Sequence, residues 1–150
     1  GMTPIIDIGG VSDIDAIAGF QVAMALESEG TELDKETVTK GVAAAMNDES
    51  KGTYIVARIK GKPIGSLMLT REWSDWNNRW YWWVQSVYVV PEYRSQGIFR
   101  AMYTKVKEIA IDQGITQIRL YVDKTNIKAQ DVYRHLGMQE CHYLMYEEIL

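Results

Sequence analysis

A polar turn follows a long β-type run near the middle of the 150-residue sequence. After Pro91 the turn contains two arginines and a glycine, and helical spacing of apolar residues begins at Ile98; its members are Arg94, Ser95, Gln96, Gly97, Ile98, Phe99 and Arg100. A helix start exposes unpaired backbone N–H groups and about half a unit of positive charge, which together favour an anion such as phosphate. The pattern therefore predicts a phosphate site, although an ordinary solvated turn has the same residue types.

A second candidate pair lies in "NIKAQDVYRHLGM", which has the apolar spacing of a helix. Asn126 and Tyr133 are seven residues apart, close to two helical turns, so both are expected on one helix face. Each also has an ordinary interpretation. Asn126 is a good N-cap, and Tyr133 fits a core aromatic whose hydroxyl has a partner.

All five tryptophans fall between Trp73 and Trp83. Those from Trp80 onward are predicted to fill the core from a strand, with Trp80 and Trp82 on one face. Trp73 and Trp76 flank Asp75 in a predicted loop over residues 71–78. Aromatic rings beside a carboxylate suit a protonated amine, but exposed tryptophans equally suit a subunit contact, and therefore a possible homodimer.

The charge and composition of the chain limit the classes of molecule that it is expected to bind. The formal charge of −4 and the pI near 5.2 argue against nucleic acid and favour a small cationic molecule, as does the Glu27 and Glu29 pair. The lone Cys141 predicts no internal disulfide, and neither it nor His142 belongs to a group with metal-ligand spacing. No apolar run approaches the roughly 20 residues of a membrane span. These features indicate a cytoplasmic protein.

The periodicities predict one α/β domain over residues 1–150. Helices are expected to begin at Ser12, at Asp34, at Ile98 and at Asn126, each Ser, Asp or Asn acting as an N-cap. Strands are expected in "TPIIDI", in the hairpin "GTYIVARI" and "IGSLMLT", in "RWYWWVQSVYVV", in "TQIRLYV" and in "HYLMYEEI". The strand–helix–strand order over Trp80 to Val122 predicts one parallel pair in a mixed sheet.

The segments "VYVVPEYRSQGIFRAMY" and "NIKAQDVYRHLGM" together resemble the GCN5-related N-acetyltransferases, or GNAT family. That family has a phosphate turn of Arg or Gln, two residues of any type, Gly, any residue, then Gly or Ala. Here the pattern falls on Arg94, Gly97 and Phe99, so the last position departs from a small residue. The resemblance implies the acyl-CoA N-acyltransferase fold, in which helices flank a mostly antiparallel sheet with one parallel strand pair.

The resemblance further implies acetyl-CoA as the acetyl donor and direct transfer to an amine in a ternary complex. Backbone amides from Arg94 to Phe99 would bind the pyrophosphate, and the main chain of Val87, Tyr88 and Val89 would pair with the pantetheine arm. Asn126 and Tyr133 would face the cofactor, with Tyr133 as general acid.

The general base is left open, because residues 80–90 contain no carboxylate and neither Gln85 nor Ser86 replaces one. Glu27, Glu29, Glu72 and Asp75 are candidates, each with the alternative of a solvated side chain. The predicted acceptor-site residues are Glu27, Glu29, Trp73, Asp75, Trp76 and Gln85. A non-catalytic acyl-CoA sensor is the alternative function. A nucleotide enzyme is disfavoured because the turn lacks the Gly-Lys-Ser/Thr ending.

Overall fold

The computed structural model describes residues 2–150, and the chain divides into two units at the boundary between Leu120 and Tyr121. The first unit contains β1 (Ile5–Ile8), α1 (Ile14–Glu29), α2 (Lys35–Met46), β2 (Thr53–Ile59), β3 (Lys62–Ser74), β4 (Arg79–Val89), α3 (Ile98–Asp112) and β5 (Ile118–Arg119). The second unit contains α4 (Ile127–His135).

The sheet has the order β1-β2-β3-β4-β5, and its neighbours are antiparallel except for β4 and β5. This arrangement confirms the predicted mixed sheet with one parallel pair. The parallel pair follows from the crossover through α3, because two parallel neighbours cannot be joined by a tight hairpin.

Alternation along the strands divides the core between the two faces of the sheet. On one face, Tyr54 and Val56 of β2 pack with Ile17 of α1 and Val42 of α2. On the other face, a Cβ placed on Gly65 would lie 3.5 Å from the Ile98 side chain and 3.0 Å from the Tyr88 carbonyl oxygen. The absence of a side chain at residue 65 therefore lets the first turn of α3 lie directly against β3 and β4.

Strand β4 contains a β-bulge near its carboxyl end. Ser66 of β3 pairs with Tyr88, whereas Met68 pairs with Gln85, so β4 uses one more residue than β3 between these two pairs. Ser86 has φ of 55°, in the left-handed region that β-strand residues avoid. Such a bulge bends the strand and redirects its backbone groups, and here it does so just before the turn that leads into α3.

Several predicted elements differ from the structure. The segment over residues 71–78 was expected to be a loop, but β3 continues to Ser74 because Arg71 to Ser74 pair with β4. The third tryptophan of the run, Trp80, is 45% exposed and not core, since it lies near the hairpin end, where its ring packs edge-on against Trp73.

Two predicted strands at the end of the chain also differ. The strand in "TQIRLYV" is reduced to Ile118–Arg119, and no strand is assigned to "HYLMYEEI" among the residues that the structure describes. Alternating β-rich residues favour an extended chain, but a strand exists only where a neighbouring backbone completes the ladder. The local sequence pattern does not indicate whether such a neighbouring strand is present.

Of the predicted N-caps at Asp34 and Ser12, one is confirmed and one is wrong. The Asp34 cap is confirmed, because its carboxylate accepts the Thr37 backbone N–H at 3.1 Å. The Ser12 cap is wrong: a 3-10 turn over Val11–Asp13 precedes α1, and Asp13 accepts the Gly10 N–H at 2.8 Å. Asp13 takes this position because the same carboxylate binds Arg58.

The pair between Asp13 and Arg58 joins the start of α1 to β2. The Arg58 Nη1 and Nη2 atoms each donate to one Asp13 oxygen at 2.7 Å, while its Nε atom donates to Asp7 at 3.0 Å. The Asp13 side chain is 3% exposed and the Asp7 side chain is 49% exposed. The hydrogen bonds from Arg58 and Gly10 hold the pKa of Asp13 below its usual value, against the opposing effect of burial.

Asp13→Asn should lower the free energy of unfolding at pH 7 by about 3 kcal/mol, because it leaves the Arg58 charge partly buried without its bidentate partner. Asp7→Asn, the matched control on the same arginine, should cost less than about 1 kcal/mol because Asp7 is half exposed. Because the native-state pKa of Asp13 is lowered from 3.8, the ionised carboxylate stabilises the folded protein fully at pH values above 3.8. This stabilisation is lost as the pH falls through the lowered pKa. Urea unfolding at several pH values measures both effects. Equal costs for the two variants would contradict this account of Arg58.

Candidate functional site

A cleft of about 360 Å³ lies beside the carboxyl-terminal half of β4, within the first unit. Helix α1 contributes Met24, Glu27 and Ser28 to its lining, β4 contributes residues 87–89, and the last lining residue is Arg94. The cleft therefore adjoins both the predicted pantetheine-pairing segment and the predicted phosphate turn. It also contains one of the four candidate carboxylates.

Three side chains form a connected polar group in this cleft. The Arg94 Nη2 atom donates to Glu27 Oε1 at 2.6 Å, and the Tyr88 hydroxyl donates to Glu27 Oε2 at 2.5 Å. The Arg94 guanidinium also lies 5.2 Å from the centre of the Tyr88 ring, and its Nε atom donates to the Val89 carbonyl at 2.8 Å. Both Glu27 oxygens are thus engaged, one by a phenol and one by a cation.

These contacts shift the acid–base properties of the group. The hydrogen bond from Tyr88, followed by that from Arg94, lowers the pKa of Glu27. Burial and the hydrogen bond to Glu27 raise the pKa of Tyr88. At neutral pH the carboxylate is therefore ionised and the phenol is protonated, as the hydrogen bond between them requires.

The start of α3 has the features expected of an anion site. Gly97 is the N-cap residue with φ of 78°, and no side chain caps the helix there. A Cβ on Gly97 would meet nothing within 4 Å, so the space beside the first helical N–H groups is open. Phe99, which departs from the family pattern, stacks its ring on Tyr103 at a centroid distance of 5.9 Å. Arg100 is exposed on the first turn. These residues fit a pyrophosphate.

The backbone of β4 fits an extended ligand in the same region. The registered pairing of β4 with β5 consists of Trp82 with Ile118 and Trp83 with Arg119. Within the first unit, β4 therefore continues beyond its registered partner for six residues, from Val84 to Val89. Main-chain groups in such a segment are suited to pairing with a pantetheine arm, which carries amide groups of its own.

The remaining predicted carboxylates lie elsewhere. Glu72 accepts hydrogen bonds from Trp83 Nε1 at 2.8 Å and from Arg119 Nη1 at 2.9 Å, in a network across β3, β4 and β5. Asp75 lies in the exposed hairpin turn, and Glu29 is exposed at the end of α1. Gln85 donates to the Thr70 hydroxyl at 2.5 Å. Of the four candidate bases, Glu27 is the one that lines the cleft.

Trp73 and Trp76 are at the far end of the β3–β4 hairpin from the cleft. Trp76 is 90% exposed in the turn, and Trp73 is 48% exposed against Trp80. At about 3.3 Å per residue, the hairpin turn is roughly 25 Å along β4 from Val87. The structure therefore does not bring these tryptophans and Asp75 together with Glu27 within one chain, and the subunit contact stays a prediction.

The second unit contains the other predicted cofactor residues, on α4. Asn126 is the N-cap, and its Oδ1 atom accepts the Ala129 N–H at 3.1 Å. Tyr133 is half-buried two turns later, and burial raises the pKa of its phenol. The phenol is therefore protonated at neutral pH and able to donate a hydrogen.

Two features of the cleft were not predicted. The Ser86 bulge has no local sequence signal, because serine does not favour a positive φ. The Glu27–Arg94 pair and the Glu27–Tyr88 hydrogen bond join residues 67 and 61 positions apart, so no local pattern in the sequence indicates either contact. Among residues 2–150, no three His, Cys, Asp or Glu side chains are grouped as metal ligands would be. No helix in the same range has the length and apolar character of a membrane span.

Comparisons with known proteins give the same family as the sequence resemblance. The family model described as the acetyltransferase (GNAT) family matches residues 21–138. A thialysine N-epsilon-acetyltransferase from Bos taurus is 43% identical over 77 residues, which is 51% of this chain and 45% of that protein. The corresponding enzyme from Sus scrofa is 40% identical over 85 residues, or 53% of this chain and 49% of that protein. The chain thus spans about half the length of these curated relatives.

A solved structure gives a match over nearly the whole chain. The crystal structure of a possible acetyltransferase from Clostridium difficile 630 is 44% identical, covers 99% of each chain and has a TM-score of 0.91. A predicted acetyltransferase with acetyl-CoA from Clostridium acetobutylicum has a TM-score of 0.78 at 16% identity, covering 97% of this chain and 96% of that chain. At that identity the second match indicates the shared fold.

Gly97→Leu should weaken coenzyme A binding by about 10- to 100-fold, because a side chain would occupy the open space beside the helix start and displace charge-assisted hydrogen bonds. Gly114→Leu is the matched control, since Gly114 has φ of 77° beyond the other end of α3 and its Cβ would also meet open space. Both variants should lose similar stability from the backbone conformation. Isothermal titration calorimetry measures the affinities. Equal affinity in the two variants would contradict the phosphate site at Gly97.

Trp73→Ala and Trp76→Ala should leave the Michaelis constant for the acceptor amine unchanged, because within one chain both residues are distant from the cleft. Steady-state kinetics and sedimentation velocity on the same samples check this. A raised Michaelis constant with unchanged oligomer size would instead support the amine seat. A shift to a smaller species would identify a subunit contact.

Proposed function

Because this chain belongs to the GNAT acetyltransferase family, we propose that it transfers the acetyl group of acetyl-CoA to a primary amine of a small cationic acceptor. The observation that carries the proposal is that one cleft is lined by the backbone of residues 87–89, the Glu27 carboxylate and Arg94, which comes three residues before the uncapped start of α3 at Gly97. Residues 1–150 act as one acetyltransferase domain in this proposal, because the family match crosses the boundary between the two units.

Acetyl-CoA supplies an activated thioester when it is bound. The backbone N–H groups from Arg94 to Phe99, with the Arg94 and Arg100 side chains, bind the pyrophosphate, while the main chain of residues 87–89 orients the pantetheine arm. The family resemblance assigns Asn126 and Tyr133 to the cofactor as well. By the same resemblance Tyr133 is the general acid: its phenol, whose pKa is raised by burial, stays protonated at neutral pH and donates a hydrogen bond to the departing sulfur.

Glu27 provides the acceptor side of the reaction. Its carboxylate is the negative charge in the cleft that attracts an ammonium group, and it stands beside the backbone that would hold the donor. A protonated amine must lose a proton before its nitrogen can attack a thioester carbon, and Glu27 is the group in the cleft that can accept it. The acidic charge balance also favours a cationic acceptor.

Thialysine, or a related amino acid with a side-chain amine, is the first acceptor class to test, because two relatives at 40% identity or more act on thialysine by name. A panel should contain thialysine, lysine, a polyamine, an aminoglycoside and a peptide with a free N-terminus. Amine-dependent release of free thiol from acetyl-CoA is the expected result. Coenzyme A binding without thiol release from any of these amines would favour the non-catalytic acyl-CoA sensor.

Tyr133→Phe should lower turnover by about 100-fold or more, because the hydroxyl that stabilises the departing sulfur as its hydrogen-bond donor is removed. Coenzyme A affinity should change little, since the ring remains. Tyr146→Phe is the matched control, because Tyr146 is 91% exposed in the same unit. Thiol-release kinetics and calorimetry separate the two effects. A proportionate loss of affinity and turnover would make Tyr133 a binding residue.

A further inference from the structure

Arg94 has two engagements in this structure that the proposed function requires it to leave. Its Nη2 atom donates to Glu27 at 2.6 Å, and its Nε atom donates to the Val89 carbonyl at 2.8 Å. In the proposed function, the main chain near Val89 pairs with pantetheine and the Glu27 carboxylate receives the acceptor amine. The same arginine is also the first residue of the phosphate turn. One side chain therefore has competing partners.

We infer that Arg94 is a positioning residue that exchanges partners: it holds Glu27 until coenzyme A binds, then transfers its donors to the phosphate groups and releases Glu27 to the acceptor amine. This inference rests on the proposed function. It adds an order of binding, because the acceptor-side carboxylate becomes available after the donor has bound. It also identifies Glu27 and Arg94 as a coupled pair.

Breaking the Arg94–Glu27 pair costs the protein little free energy. The Arg94 and Glu27 side chains are 44% and 40% exposed, so their pair is screened by solvent and contributes little net free energy. Guanidinium groups bind phosphate oxygens in bidentate geometry through two charge-assisted hydrogen bonds, whereas Arg94 donates one such bond to Glu27. A dianionic pyrophosphate beside an uncapped helix start is therefore a better partner for Arg94 than one exposed carboxylate.

Release of Glu27 from Arg94 also makes its carboxylate a better proton acceptor. The bond from Arg94 is one of the two hydrogen bonds that lower the pKa of Glu27, the larger effect being that of Tyr88. Loss of the guanidinium leaves Tyr88 to hold the carboxylate in place and frees Oε1, the oxygen that Arg94 occupied. A carboxylate freed from a cation is a better acceptor for an ammonium hydrogen.

The exchange makes a prediction opposite to that for an ordinary binding residue. Glu27→Gln should bind coenzyme A about two- to fivefold more tightly than the parent protein, because the competitor for Arg94 is weakened. The same variant should lower kcat/KM for the amine. Glu29→Gln is the matched control, since it removes the same charge two residues away, where the side chain is exposed and outside the cleft. Its coenzyme A affinity should rise less than that of Glu27→Gln.

A double-mutant cycle separates the exchange from a general charge effect. In an Arg94→Ala background, which itself should bind coenzyme A more weakly, Glu27→Gln should no longer increase affinity. Calorimetry with coenzyme A alone measures all four proteins without requiring an acceptor, and circular dichroism confirms that each is folded.

Two failures are distinguishable in this experiment. If the parent protein does not bind coenzyme A, the proposed function is contradicted and the exchange with it. If the parent binds but Glu27→Gln has no higher affinity than Glu29→Gln, or if its gain persists in the Arg94→Ala background, the exchange alone is overturned.

Discussion

Backbone hydrogen bonding in β4 is the constraint on which the site depends. This strand pairs with β3 along nearly its whole length, whereas its registered pairing with β5 ends at Trp83. The bulge at Ser86 bends the strand just before its carboxyl end, and the chain then turns through Gly97 into α3. A stretch of β4 beyond its registered pairing with β5 and an uncapped helix start thus follow each other along the chain, which suits a ligand that has both an amide-bearing arm and phosphates.

The packing beneath this junction keeps it in place. Gly65 allows Ile98 to lie against β3 and β4, and Met102 and Val106 continue the buried side of α3. On the opposite face, α1 packs on the sheet through Ile17 and carries Glu27 to the cleft. The helix that supplies the carboxylate and the helix that supplies the anion site are therefore positioned by the same strands.

Local signals predicted the parts of the fold that depend on local energetics. The Asp34 cap and the α3 start at Ile98 were found because capping and apolar spacing act within a few residues. The Ser86 bulge, the extension of β3 to Ser74 and the Glu27–Arg94 pair depend on strand register or on contacts between distant segments. For the same reason, four candidate carboxylates were equivalent in the sequence, and their placement in the structure distinguishes Glu27.

The most direct test of the account is a crystal structure of the protein with coenzyme A bound. We expect the phosphates to lie at the start of α3 beside Gly97, with Arg94 in contact with a phosphate and no longer with Glu27. Coenzyme A bound at that position with the Arg94–Glu27 pair intact would contradict the exchange. Coenzyme A bound away from the β4–α3 junction would contradict the site itself.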